Sequence, residues 1–139
     1  MNKIRDRMNS MHLGMNESIQ KIITEDDVIS FSNISGDNNP IHLSDEYAKQ
    51  TRYKKRIAHG LLSASFFSAI FGTKLPGNGC VYLSQSLKFK YPVYIGDKVT
   101  ATVTILEINK EKNTIAFSTI CRVKNKIVID GKAEIYLPD

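Results

Sequence analysis

The sequence predicts an α+β domain in which an antiparallel sheet wraps one buried helix. Two observations carry this. The segment GLLSASFFSAIFG (residues 60–72) is apolar on every helical side, with only Ser63, Ser65 and Ser68 interrupting it. A helix without a polar face needs cover on nearly all sides. From residue 99 onward the pattern changes to period two, and short turn-rich stretches separate three such runs. Strands of that kind joined by short turns pair antiparallel.

Taken in order, residues 1–16 read as a flexible N-terminal tail, and residues 17–139 as a single domain. Glu17 to Thr24 predicts a first strand. Thr24 with Asp27 gives an N-cap followed by an acidic first turn, so a short helix runs to about Ile34. SGDNNP (residues 35–40) is dense in turn formers, and Pro40 steers Asn39 away from helical backbone. Ser44 caps a second short helix, DEYAKQ, and the basic run TRYKKR leads into the apolar helix. About twelve residues of that helix span roughly 18 Å, the width of a curved sheet.

Beyond the LPGNG loop, the inward rows are Val99, Ala101, Val103 and Ile105, then Ile115, Phe117, Thr119 and Cys121. The last row holds Ile127, Ile129, Ala133, Ile135 and Leu137. YIGDK, NKEKN and VKNK supply the turns. A sheet closing round one helix in this way is the hot-dog fold. Its uncovered edges predict self-association into a homo-oligomer.

Composition bounds the function. The chain has 139 residues, 42% hydrophobic and 24% charged, enough for one sizeable core. Its net charge of +5 raises nucleic acid, membrane surfaces and phosphorylated small molecules as partners. No basic stretch interleaved with aromatics forms an RNA-binding motif, and nucleic acid is not expected. The longest apolar run is far short of the ~20 residues of a membrane span. The N-terminus runs into no secretory apolar stretch. Cys80 and Cys121 stand alone in expected strands and read as buried thiols, which suits a reducing cytoplasm.

Chemistry concentrates in two places. Asp37 and His42 flank the Asn-Pro turn, where a reversal brings carboxylate and imidazole to one water, an arrangement for general acid–base work. The spacing equally fits an Asx-turn at Asp37 with His42 packed beneath it. His59-Gly60 opens the buried helix. There the first N–H groups lack internal acceptors, and Gly60 leaves room for a ligand's developing negative charge. Gly60 serves close helix–sheet packing equally well. Asp37, His42 and His59 lack the helical spacing of a metal site, so no metal is expected.

SGDNNPIHLSDEYA, IAHGLLSASFFSAIFG and LPGNGCVYLSQSLKFKYPVYIGD resemble the (R)-specific enoyl-CoA hydratases of the MaoC-like dehydratase family, over about residues 17–138. The resemblance implies a hot-dog homodimer that adds water to trans-2-enoyl-CoA, giving (R)-3-hydroxyacyl-CoA, with no metal or redox cofactor. It assigns Asp37 and His42 to catalysis, the Gly60 amide to polarising the thioester carbonyl, and Ser68 to the substrate pocket. Gly36 and Leu61 depart from many relatives, which carry another side chain and a methionine there. Neither departure touches the proton-transfer pair.

Two further expectations concern substrate binding. Arg52, Lys54, Lys55 and Arg56, just before the helix entry, are expected to hold the CoA phosphates. Phe71, one turn past Ser68, is expected to shorten the acyl tunnel and favour short chains. An acyl-CoA thioesterase is the alternative on this fold, but it would want a carboxylate on or facing the helix, and the helix has none. A non-catalytic nucleic-acid module is a second alternative. Polyester monomer supply, fatty-acid metabolism and fermentative routes all use the hydratase chemistry.

Overall fold

A computed structural model describes residues 3–138 of the chain. Its elements are α1 (Lys3–Asn9), β1 (Asn16–Ile22), α2 (Glu25–Ser35), α3 (Pro40–Leu43), α4 (Asp45–Lys49), α5 (Gly60–Thr73), β2 (Val81–Gln85), β3 (Lys88–Phe89), β4 (Lys98–Asn109), β5 (Thr114–Val123) and β6 (Lys126–Tyr136). The sheet runs β1-β4-β5-β6-β2, every pair antiparallel, with β3 also on β6. The hot-dog expectation holds.

The period-two rows face the helix as their spacing requires, except that a bulge in β6 opposite Cys121 and Arg122 buries Val128 and leaves the expected Ile127 half-buried. Ala101 pairs with Cys121, Val103 with Thr119, and Ile105 with Phe117, and all six are buried. Phe117 and Ile115 continue across to Ala133 and Ile135 on β6. Thr119 is the polar exception in this layer, and Gln85 satisfies it by donating from Nε2 to Oγ1 at 2.8 Å. The segment leaving β2 crosses β6 at Gly131. A methyl group there would lie 1.9 Å from the Ser86 carbonyl oxygen, so only glycine lets the two backbones meet.

Capping sets the boundaries of the small helices. Thr24 and Asp27 form a reciprocal capping box at α2. Ser44 accepts from Tyr47 N–H to start α4. Pro40, expected within a loop, instead opens the one-turn α3, because Asn39 caps it and proline suits a first helical position.

Three sequence expectations need correcting. The central helix is not covered all round: Leu62, Phe66, Phe67, Ile70 and Phe71 face the sheet, while Leu61, Ser65, Ser68, Ala69 and Gly72 form an uncovered stripe. The stripe holds two of the three serines and otherwise small or apolar residues, so no charged face marked the bare side. Cys80 precedes β2 rather than lying in it, and donates to the Phe71 carbonyl. Cys121 does lie within β5, where burial pushes its thiol up to about 12. Residues 3–9, inside the stretch expected as a flexible tail, form α1. Met8 is buried in the core, and Arg7 donates to the carbonyls of Pro76 and Asn78, docking this stretch on the domain.

Candidate active site

The Asp37 loop is shaped almost wholly by its own chain neighbours. Gly36 ends α2 in left-handed backbone (φ 79°), its N–H bonded to the Ser32 carbonyl. Asp37 N–H donates to Ser35 Oγ, and Asp37 Oδ1 accepts from Asn39 N–H at 3.1 Å. The Asx-turn is therefore real, yet it uses one carboxylate oxygen and leaves Oδ2 for other work. The turn thus does not exclude a pairing of Oδ2 with His42.

His42 is anchored from a distance. Its Nδ1 lies 2.7 Å from the Ile57 carbonyl oxygen. A carbonyl only accepts, so Nδ1 carries the proton and, in the neutral ring, Nε2 keeps a bare lone pair. That Nε2 is 3.9 Å from Asp37 Oδ2, too far for a direct hydrogen bond and near enough for both to reach one water. His42 is buried, whereas the Asp37 carboxylate is half exposed.

His59 lies beneath this pair. Its ring stacks on His42 with centroids 3.8 Å apart and planes 28° from parallel. Its Nε2 lies 3.2 Å from the Asp37 carbonyl oxygen and 3.1 Å from Ser32 Oγ. Burial pushes its pKa below the usual imidazole value, and the neighbouring His42 adds to this against a partial offset from Asp37. Asp37, His42 and His59 thus cluster within 4.8 Å. His42 Nδ1 and His59 Nε2 are both engaged with backbone carbonyls, so the trio is poorly arranged to surround a tetrahedral ion.

Gly60 begins α5, and its N–H has no intrahelical acceptor. The ring of Phe89 lies directly over it: a methyl group on Gly60 would fall 2.5 Å from two ring carbons. A cavity of about 380 Å³ joins these groups, with Asp37, His42, Gly60 and Arg52 on its wall.

The other sequence-predicted residues lie elsewhere. Lys54, Lys55 and Arg56 border a separate recess beside Asp45 and Tyr94. Arg56 bonds Glu25 at 2.7 Å, Asp45 at 3.0 Å and the Leu43 carbonyl at 3.3 Å, so its guanidinium is already occupied in joining α2 to α4. Arg56, expected to hold phosphate, does not line the cavity that joins Asp37, His42 and Gly60. Ser68 lies on the uncovered stripe of α5. Phe71 is 1% exposed, against Phe117 and Tyr82 with centroids at 4.7 and 5.3 Å, and is not on the cavity wall.

Sequence reasoning missed Phe31, Tyr53, Phe89, Lys90 and Tyr91, all of which line the cavity. The mixture of basic and aromatic residues in KFKYP (residues 88–92) was the available signal.

The MaoC like domain model matches residues 9–128. The chain belongs to the MaoC-like family. It is 50% identical to an (R)-specific enoyl-CoA hydratase of Rhodospirillum rubrum, over 90% of this chain and 87% of that one. Identity to a 3-hydroxybutyryl-CoA dehydratase of Methylorubrum extorquens is 43%, covering 92% and 82% respectively. The solved structure of the (R)-hydratase from A. caviae involved in PHA biosynthesis superposes with a TM-score of 0.90 at 36% identity, covering 93% of this chain and 98% of that one.

Proposed function

We propose that this MaoC-like chain is an (R)-specific enoyl-CoA hydratase, adding water reversibly to trans-2-enoyl-CoA to give (R)-3-hydroxyacyl-CoA. The observation that supports it best is the pair formed by Asp37 Oδ2 and the bare Nε2 of His42, 3.9 Å apart beside the start of α5. Hydrogen bonding of the thioester oxygen to Gly60 N–H draws electrons from C3 and stabilises the enolate that follows attack. Water held between Asp37 and His42 adds its oxygen to C3 and gives one proton to the pair, which returns a proton to C2. The pair ends each turnover as it began. Only Nε2 of His42 is free of the anchor, so any proton from this residue passes through Nε2. Both groups sit on one side of the cavity, and the two parts of water add to the same alkene face.

A thioesterase would use a carboxylate on the helix to direct water at the carbonyl carbon; α5 contains none. The decisive assay is loss of enoyl-thioester absorbance with crotonyl-CoA, coupled to an (R)-specific 3-hydroxyacyl-CoA readout. Free CoA released without hydration would reverse the assignment.

Arg52 is the member of the basic run that lines the cavity, together with Lys90. We assign these two to the CoA phosphates. Arg52→Ala should raise KM for crotonyl-CoA several-fold at low ionic strength with kcat nearly unchanged, and added salt should narrow the gap. A Lys54/Lys55 double alanine variant should leave KM alone. The reverse pattern would return the phosphates to the second recess.

A second copy of the chain is the proposed cover for the uncovered face. β2 is a sheet edge that exposes Val81, Tyr82 and Leu83, and the outward stripe of α5 is apolar or small. The native chain should therefore elute as a homodimer or larger by light scattering, and Leu83→Lys as a monomer. A native monomer at assay concentration would refute this. No helix of the described residues is long and apolar enough to cross a membrane. Cys80 and Cys121 are free thiols, consistent with the cytoplasm as the proposed location.

A further inference from the structure

His59 precedes the amide that would polarise the carbonyl, yet its side chain does not cap its own helix. It turns back under the catalytic loop instead. There it contacts each element that holds the reacting groups: Phe31 at 4.8 Å and Ser32 on α2, the Asp37 carbonyl, and the face of His42 on α3. The Asp37 carbonyl can only accept, so the bond requires a proton on Nε2. Nδ1 is then a bare acceptor, and it is buried without a partner. A position selected for packing alone would carry an apolar ring here, because an unpaired buried nitrogen is unfavourable.

We infer that His59 is a positioning residue for the hydration. As the Nε2–H tautomer it fixes the Asp37 backbone from below and sets the plane of His42 by stacking. Through its own main chain it ties both to Gly60. One side chain thereby sets the spacing between the proton-transfer pair and the carbonyl donor. Its burial disfavours the charged ring, which limits repulsion of a proton arriving on His42 3.8 Å away. The inference rests on the hydratase reading for its kinetic consequence, but not for its tautomer.

Kinetics of three variants and nitrogen NMR of the native chain test it. His59→Phe keeps a flat ring against His42 and removes the donor. It should lower kcat for crotonyl-CoA by ~10²-fold with KM within a few-fold, the scale on which small misplacements act. His59→Gln, which restores an N–H near the Nε2 position, should recover most of that loss at equal thermal stability. Should His59→Phe fail to fold, Ser32→Ala removes the hydroxyl beside Nε2 and should lower kcat by several-fold without raising KM. Nitrogen NMR of the native imidazoles should show His59 protonated at Nε2. A His59 protonated at Nδ1 overturns the inference whatever the activity. Near-native kcat in His59→Phe, or in Ser32→Ala where His59→Phe does not fold, overturns it too. Equal losses in the Phe and Gln variants that follow stability would reduce His59 to packing. A native chain inactive on enoyl-CoA would instead refute the hydratase reading, leaving the tautomer result to decide this one.

Discussion

Asp37→Asn and His42→Asn are each expected to lower turnover of crotonyl-CoA by at least ~10²-fold with the fold intact. Both variants isolate the chemistry. Asparagine at position 37 keeps an oxygen for the Asn39 N–H, so the turn that shapes the loop survives and only the carboxylate is lost. Asparagine at position 42 offers an N–H where Nδ1 meets the Ile57 carbonyl, while nothing replaces Nε2. Thermal denaturation should therefore shift little in either case. A double variant should be scarcely worse than either single one, because the two groups serve one water. Near-native hydration by either folded variant would dismiss the pair as the reacting groups.

Phe71→Ala should have the largest effect on stability. The ring is 1% exposed and wedged against Phe117 and Tyr82 beneath α5. Removing such a ring costs ~3–5 kcal/mol, the spread reflecting how far neighbours relax into the space. The same variant reads out acyl length. We propose that native turnover favours chains of about four to six carbons, since a longer tail must enter an interior already filled and overpacking is unfavourable. Phe71 lies eleven residues beyond Gly60, about 16 Å along the helix at 1.5 Å per residue. Phe71→Ala should consequently raise kcat/KM for octenoyl-CoA relative to crotonyl-CoA. Lost stability with an unchanged ratio would make Phe71 core packing and nothing more.

The sheet was legible because its inward residues alternate over long runs, and period two admits one face only. The Asp37 loop was legible for a related reason: Gly36, Asn39 and Pro40 each impose local geometry. The outward stripe of α5 was not, since Ala69 and Gly72 look the same in sequence whether the helix side is covered or bare. The basic run read as one patch although its members diverge. Lys54 adopts left-handed backbone (φ 67°), and Arg56 is engaged by acids at positions 25 and 45 that no local pattern connects to it. The role of His59 stayed hidden because it depends on three partners brought together only by the tertiary fold.

The two members of the reacting pair are also held by different kinds of bond, and this has a consequence for assembly. The carboxylate takes its shape from neighbours two residues away, so its turn can form as soon as that peptide is synthesised. The imidazole waits for the carbonyl of Ile57, fifteen residues later, and for the bridge between Ile57 and Tyr94 that seats this strand-like segment on the sheet. The carboxylate side is thus written into local chain chemistry, and the imidazole side is acquired only when distant parts dock. Local opening of residues 50–58 would disarm the histidine while the aspartate kept its geometry, giving a folded molecule with half a site. Changes at Ile57 can therefore retune the imidazole without touching the bonds that shape the Asp37 carboxylate.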